Sequence, residues 1–230
     1  MTIKYHRDLI QGSEEWHQAR LGLLTASEID RILTPKLKVA ENAKSRAHLW
    51  EIAAQRISNY VEPQYISDSM LRGHEDEILA RALYSEKRAP VAECGFVTND
   101  KWGFMLGGSP DGLVGEDGLI ECKSRCQKYQ VQTIVEEWTG VAHVPEEFWL
   151  QVQSLLLVTG RKWCDFISYS GGLPMAIVRA ENDTTTQDAI IEAAAKFEAR
   201  INEVVADYHA AVAARGYQPT ERRVEEEMII

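Results

Sequence analysis

The sequence has no stretch of about 18 uncharged apolar residues, and its amino terminus, Met1-Thr2-Ile3-Lys4-Tyr5-His6-Arg7, has no apolar run of a secretory kind. No membrane span is expected, and the expected location is the cytoplasm. Cysteine is scarce. Cys94, Cys122, Cys126 and Cys164 lack the paired spacing of a zinc knuckle, and scattered thiols in a reducing compartment are core or neutral residues more often than disulfides. Positive charge is also short: 25 Lys and Arg stand against 35 Asp and Glu, a formal net charge of -10. Phosphate binding ordinarily draws on a basic surplus, so the deficit argues against a protein that coats DNA. It does not exclude one that threads DNA past a carboxylate-rich metal site, because bound cations reverse the local sign that the substrate meets.

With 230 residues the chain is long enough for one substantial core and short for two, so a single α/β or α+β domain is expected. The hydrophobic share of 45% and the charged share of 26% are near the averages of globular proteins and argue against extended disorder. No repeat and no linker composition is visible.

Ser13 ahead of Glu14, Glu15 and Trp16 supplies a cap and an acidic first turn for a short helix ending near Leu21-Gly22. Thr25-Ala26-Ser27-Glu28 has capping-box spacing and predicts a second helix through Ile29, Ile32 and Leu33 until Pro35. Residues 40–59 carry Leu49, Ile52, Ala53, Arg56 and Ile57 at helical intervals, and Asp68 or Ser69 caps a further helix through Leu83. The first third is therefore expected to be helical. From Pro90 the texture changes to short β-prone runs at 91–97, 102–106, 112–114 and 119–123. Pro145 suits the first turn of a helix reaching Gly160; strands at 163–169 and 175–179 follow. Asp183 then caps a long amphipathic helix to Arg215-Gly216, and residues 221–230 read as a tail or an intersubunit contact.

The chemistry concentrates between Gly107 and Lys123. The run Pro110-Asp111-Gly112-Leu113-Val114-Gly115-Glu116-Asp117-Gly118-Leu119-Ile120-Glu121-Cys122-Lys123 reads as a hairpin. A period of two sends Glu121 and Lys123 to one face of its second strand and the apolar pair Ile120 and Cys122 to the other. With a three-residue turn and a bulge glycine at Gly118, Val114 faces Gly118 and Asp111 faces Glu121. Carboxylate oxygens in such a group suit Mg²⁺, which takes a few acids plus water and substrate phosphate. Lys123 beside them would orient water or hold developing charge. On this segment alone, a surface hairpin with an ordinary cross-strand ion pair stands beside that reading.

Asp111, nine intervening residues and Glu121-Cys122-Lys123 resemble the D-(x)n-E-x-K core of the restriction-endonuclease-like PD-(D/E)xK nucleases. Four more segments occur in order: Glu15-Trp16-His17-Gln18-Ala19-Arg20-Leu21-Gly22, Leu24-Thr25-Ala26-Ser27-Glu28, Arg72-Gly73-His74-Glu75-Asp76-Glu77 and Leu150-Gln151-Val152-Gln153. Together they resemble the phage lambda exonuclease and YqaJ-type viral recombinase family. The resemblance implies an α/β fold with a mixed central sheet flanked by helices. The match spans a core at 13–180; with the chain length and the caps already noted, one nuclease domain over 1–216 is expected, its carboxyl-terminal helix at 183–216 followed by a tail at 217–230.

The activity implied is processive, Mg²⁺-dependent 5′-to-3′ digestion of one strand of linear double-stranded DNA, in phage recombination by single-strand annealing. One or two Mg²⁺ ions per subunit are expected, with Mn²⁺ as a substitute. The metal ligands implied are Asp111, Glu121, the main-chain carbonyl of Cys122 and Glu77, with Lys123 positioning or deprotonating water. Without the resemblance, Glu77 and Arg81 are an exposed i,i+4 pair. His74 reads as structural or as a phosphate contact, since imidazole suits Mg²⁺ poorly. The family has a site glutamine at Gln151; Gln153 is its solvent-side or structural neighbour. Arg20 and Ser27 are implied in 5′-phosphate recognition, and Trp16 reads as core. The resemblance further implies a homotrimeric ring around DNA ends and a single-strand annealing protein as partner, inside the bacterial host cell. The alternatives are an endonuclease on the same fold and a catalytically silent DNA-binding module.

Overall fold

The computed structural model describes residues 2–62, 67–141 and 143–222. In chain order it comprises β1 (Ile3–His6), α1 (Glu14–Arg20), β2 (Leu24–Thr25), a 3₁₀ helix (Ala26–Arg31), α2 (Ala43–Ser58) and α3 (Asp68–Lys87). There follow β3 (Val91–Ala92), β4 (Phe96–Asn99), β5 (Leu106–Gly108), β6 (Gly112–Val114), β7 (Gly118–Ser124), α4 (Gln127–Trp138) and α5 (Glu146–Thr159). The last elements are β8 (Trp163–Tyr169), β9 (Ala176–Glu181) and α6 (Thr184–Arg215).

The architecture is the expected mixed α/β, with its strands divided between two sheets of order β1-β4-β5-β2 and β3-β6-β7-β8-β9. In the first, only β2 and β5 pair in parallel; in the second, only β7 and β8 do. The division between β5 and β6 falls at Ser109-Pro110-Asp111, where Pro110 has no N–H to give a continuous ladder.

β7 is the strand around which the core is built. Leu119 enters the larger apolar cluster with Leu24, Ile52, Leu155, Phe166 and Ile190, which come from β2, α2, α5, β8 and α6. Ile120 and Cys122 enter a second cluster with Ala80 and Tyr84 of α3. Helices therefore cover both faces of this sheet, and each fully buried Leu or Ile contributes about 1.5–3 kcal/mol. The Ser13 hydroxyl accepts the Trp16 amide at the start of α1, and Asp183 accepts the amides of Thr185 and Thr186 at the start of α6. Left-handed Gly160 and Gly216 end α5 and α6 as the sequence predicts.

Several expectations are corrected. The first third contains strands β1 and β2 as well as helices. The helix after Thr25 is a single 3₁₀ stretch, and Thr25 makes no side-chain cap; its hydroxyl donates instead to the Glu28 carboxylate at 2.7 Å. Ser67, rather than Asp68 or Ser69, caps α3, and Pro145 is the N-cap of α5 rather than part of its first turn. Residues 102–105 are not strand, and α4 was not expected at all. Residues 217–222 form neither helix nor strand, and the rest of the expected tail lies outside the described residues.

Candidate active site

The β6–β7 hairpin has the predicted register: Val114 pairs with Gly118, Leu113 with Leu119 and Gly112 with Ile120. One step further puts Asp111 opposite Glu121. The left-handed residue of the turn is Gly115, at φ +53°, and not Gly118. Gly118 is required for a different reason, since a Cβ there would lie 2.0 Å from the Trp163 ring. Arg161 clamps the turn by donating from Nη1 to the carbonyls of Val114, Gly115 and Gly118.

Asp111 and Glu121 are both buried. Asp111 Oδ2 accepts the Cys122 amide at 2.5 Å. In an extended strand the N–H and C=O of one residue point the same way, so the Cys122 carbonyl is directed to the Asp111 side as well. Its thiol lies on the opposite face, buried in the second cluster. Lys123 Nζ sits 2.6 Å from Glu121 Oε1, and the Gln151 side-chain amide donates to the same oxygen at 2.5 Å. The other oxygen, Glu121 Oε2, is buried without a hydrogen-bond partner. Glu77 approaches from α3, with Arg81 Nη1 3.5 Å from its Oε1.

The electrostatics reflect crowded acids. Burial first, then Glu121 and Glu77, push the Asp111 carboxyl well above its ordinary range. Burial also raises Glu77; Arg81 opposes the rise and Glu121 adds to it. For Lys123, burial favours the neutral amine, but Glu121 and Asp111 outweigh it and hold the ammonium protonated above its usual range.

Arg20 lies close by. Its guanidinium donates to the hydroxyls of Ser109 at 3.3 Å and Thr25 at 3.1 Å, and it stacks over Trp16, 4.2 Å from the ring centroid. Ser27, exposed, has its hydroxyl 3.3 Å from that of Thr25. Trp16 is half-buried and donates from Nε1 to the Gly95 carbonyl and the Ser109 hydroxyl. Ser109 stands two residues before Asp111, so the cationic pocket and the acidic hairpin share a short stretch of chain.

The structure thus brings Asp111, Glu121, Lys123, Gln151 and Glu77 together, and separately gathers Arg20 and Ser27. His74 is exposed one turn before Glu77. Gln153 is not on the solvent side: fully buried, it donates to the Glu181 carbonyl and accepts the Asp183 amide, fastening α5 to the start of α6. Sequence reasoning missed Thr25 and Ser109 as partners of Arg20, though both lie in segments already singled out. It also missed the Ser124 hydroxyl donating to Asp76 at 2.5 Å, for which the sequence carries no signal.

A family model for the YqaJ-like viral recombinase domain matches residues 15–162, well over half of the chain. The chain belongs to the YqaJ-like viral recombinase family. Among solved structures, this YqaJ-like chain is similar to an alkaline exonuclease from Laribacter hongkongensis, LHK-Exo, at 33% identity and a TM-score of 0.75, covering 89% of this chain and 100% of that one. The complex of LHK-Exo with dAMP matches equally well. A phage-related exonuclease from Haemophilus somnus 129PT, at 12% identity and a TM-score of 0.60 over 81% of this chain and 96% of that one, shares the fold. No match was found among curated proteins. The family and the LHK-Exo likeness support a nuclease of the lambda exonuclease type.

The donors of this YqaJ-like site fit a hard divalent cation. Among the described residues no three acidic, histidine or cysteine side chains already form a closed metal cage. Mg²⁺ needs none, since it keeps waters and binds through one or two carboxylates plus phosphate. Glu121 Oε2 is a buried oxygen lacking a partner, and the raised Asp111 and Glu77 carboxyls lack sufficient positive charge; a dication would relieve both. Among the described residues no helix is long and apolar enough to cross a membrane.

Proposed function

We propose that this chain is a Mg²⁺-dependent 5′-to-3′ exonuclease that digests one strand of linear double-stranded DNA. The observation that carries the reading is the orphaned Glu121 Oε2, buried beside Asp111 and Lys123 within a hairpin whose preceding residues reach the Arg20 pocket. Asp111, Glu121 and the Cys122 carbonyl would hold one ion, and Glu77 would serve a second; Mn²⁺ is a substitute. When bound, Mg²⁺ supplies polarisation of the scissile phosphate and a more acidic water. Lys123, 2.6 Å from Glu121, positions that water or takes its proton, and as an ammonium balances the charge that develops on the phosphate. Gln151 keeps one Glu121 oxygen turned toward Lys123 and leaves the other for the ion. Arg20, with the hydroxyls of Ser27, Thr25 and Ser109, binds the terminal 5′-phosphate in a fork-and-hydroxyl cradle.

On this reading the working unit is a processive ring of three subunits around the duplex, and a single-strand annealing protein takes up the exposed strand during phage recombination in the host cytoplasm; these features rest on the family resemblance. The test is digestion of linear duplex with a 5′-phosphate or a 5′-hydroxyl at each end, beside covalently closed circular duplex, in Mg²⁺ or chelator. Mg²⁺-dependent loss of the phosphorylated strand, with the circle intact, is expected. Cutting of the circle would identify an endonuclease instead.

A further inference from the structure

Arg81 contacts both halves of the acidic site. Its Nη1 donates to the main-chain carbonyl of Asp111 at 3.1 Å and lies 3.5 Å from Glu77 Oε1, while Nη2 reaches Glu93 at 3.6 Å. The Arg81 and Glu77 side chains are only 22% and 20% exposed, against 78% for Glu93. An ordinary solvent-facing i,i+4 pair would be more open and would touch nothing beyond its own helix. Here the guanidinium bridges from α3 to the hairpin.

We propose that Arg81 is a positioning residue of the metal site, tying the Glu77 carboxylate on α3 to the Asp111 main chain and so fixing the separation of the two acids. α3 itself is anchored by other means: Ala80 and Tyr84 are buried against β7 and β8, and the Tyr84 hydroxyl donates to Asp165 at 2.7 Å. The helix axis is therefore held without Arg81, which governs the last adjustment of the side chain one turn before it. The two N–H groups of Nη1, fixed in the guanidinium plane, serve the Asp111 carbonyl and the Glu77 carboxylate while Nη2 turns to Glu93; a lysine ammonium has the charge without that fixed plane. The inference rests on the proposed role of Glu77 as a ligand.

Charge and position predict opposite signs, and this makes the proposal decidable. A cation beside a dication site repels the ion, so an Arg81 that acted through charge alone would, when neutralised, leave a tighter site, and lysine would behave as wild type. An Arg81 that positions Glu77 would, when replaced by either residue, leave a weaker one, in the range of about 10- to 100-fold seen for groups that orient metal ligands.

The experiment measures Mn²⁺ binding to the DNA-free protein, with free ion counted by electron paramagnetic resonance, for wild type, Arg81→Met, Arg81→Lys and Glu77→Gln, each checked for a native circular dichroism spectrum. Arg81→Lys carries the test should Arg81→Met fail to fold. Weaker Mn²⁺ binding in the Arg81 variants and in Glu77→Gln is the expected result. Unchanged or tighter binding in the Arg81 variants, with weaker binding in Glu77→Gln, overturns the positioning role and leaves the ligand set intact. Unchanged binding in Glu77→Gln overturns Glu77 as a ligand, and the positioning role with it.

Discussion

The carboxylate of Asp111 accepts the main-chain amide of Cys122 at 2.5 Å, which fastens the first acid of the motif to the strand that carries the second acid and the lysine. The acids cannot drift apart without breaking a buried hydrogen bond. Asparagine at 111 can still accept that amide, so Asp111→Asn should fold while losing the charge that a metal requires.

Asp111→Asn and Glu121→Gln should accordingly reduce strand digestion to background, and Lys123→Ala should lower kcat by about 10²–10³, the cost of losing one aligned charge-stabilising group. Nuclease assays on 5′-phosphorylated linear duplex, alongside circular dichroism, make the comparison. Near-normal turnover by purified Asp111→Asn would remove the proposed site.

The crowded acids also predict how the metal-free protein responds to pH. Asp111 is raised from 3.8 by burial and by Glu121 and Glu77, and Glu77 is raised from 4.5 chiefly by burial, so the folded state holds these protons more tightly than the unfolded chain. Their stabilising contribution is complete below the unfolded values and is lost as pH rises through the folded ones. In chelator, wild type should lose thermal stability relative to Asp111→Asn as pH is raised from about 4, the ordinary carboxylate range. Mg²⁺ should restore wild type at the upper end and leave Asp111→Asn little changed. A wild type that gains on the variant across this range would contradict the sign.

Gly118 permits the turn because Trp163 occupies the space where its side chain would be. A methyl there must displace an indole held by cation-π contact with Arg179, whose guanidinium carbon is 3.8 Å from the ring centroid. Gly118→Ala should therefore destabilise the fold by about 1–3 kcal/mol, the usual cost of overpacking. Urea unfolding gives the value. A loss below a few tenths would mean that Trp163 moves aside freely.

The hairpin was legible because two independent periodicities agree: alternation along 119–123 and a turn length that leaves Val114 opposite Gly118. The long helix was legible from Asp183 and Gly216, local signals at its two ends. β1 was not, because four residues gain strand character only by pairing with β4 ninety or more positions away. α4 was not, because Cys126 gives its first turn no side-chain cap, and its exposed Val131, Val135 and Trp138 do not resemble a core-facing stripe. At the site, the residue types were readable and their partners were not. Arg81 has the spacing of a surface pair with Glu77, and only the approach of Asp111 gives it another use.

On the proposed function the DNA end is read through Arg20, whose partners Ser109 and Thr25 form with it a cradle of one fork and two hydroxyls, with the Ser27 hydroxyl at its exposed edge. Burial lowers the proton affinity of Arg20 and Glu28 partly restores it, so a desolvated cation with one nearby acid is available to an incoming dianion. A terminal phosphate has such a charge and an internal phosphodiester does not. Arg20→Ala should slow digestion of 5′-phosphorylated duplex by about 1.5–3 kcal/mol in kcat/KM, the range for a charged hydrogen bond, and leave 5′-hydroxyl duplex little affected. Ser109→Ala should act in the same direction by about 0.5–1.5 kcal/mol, since it removes a neutral partner. Mn²⁺ binding should be unchanged in both, because Asp111 and Glu121 remain. Steady-state rates on the two substrates for wild type and both variants decide the matter. An equal fall on both substrates would make Arg20 a general backbone contact or a structural residue, and end recognition would then have to lie elsewhere on the chain.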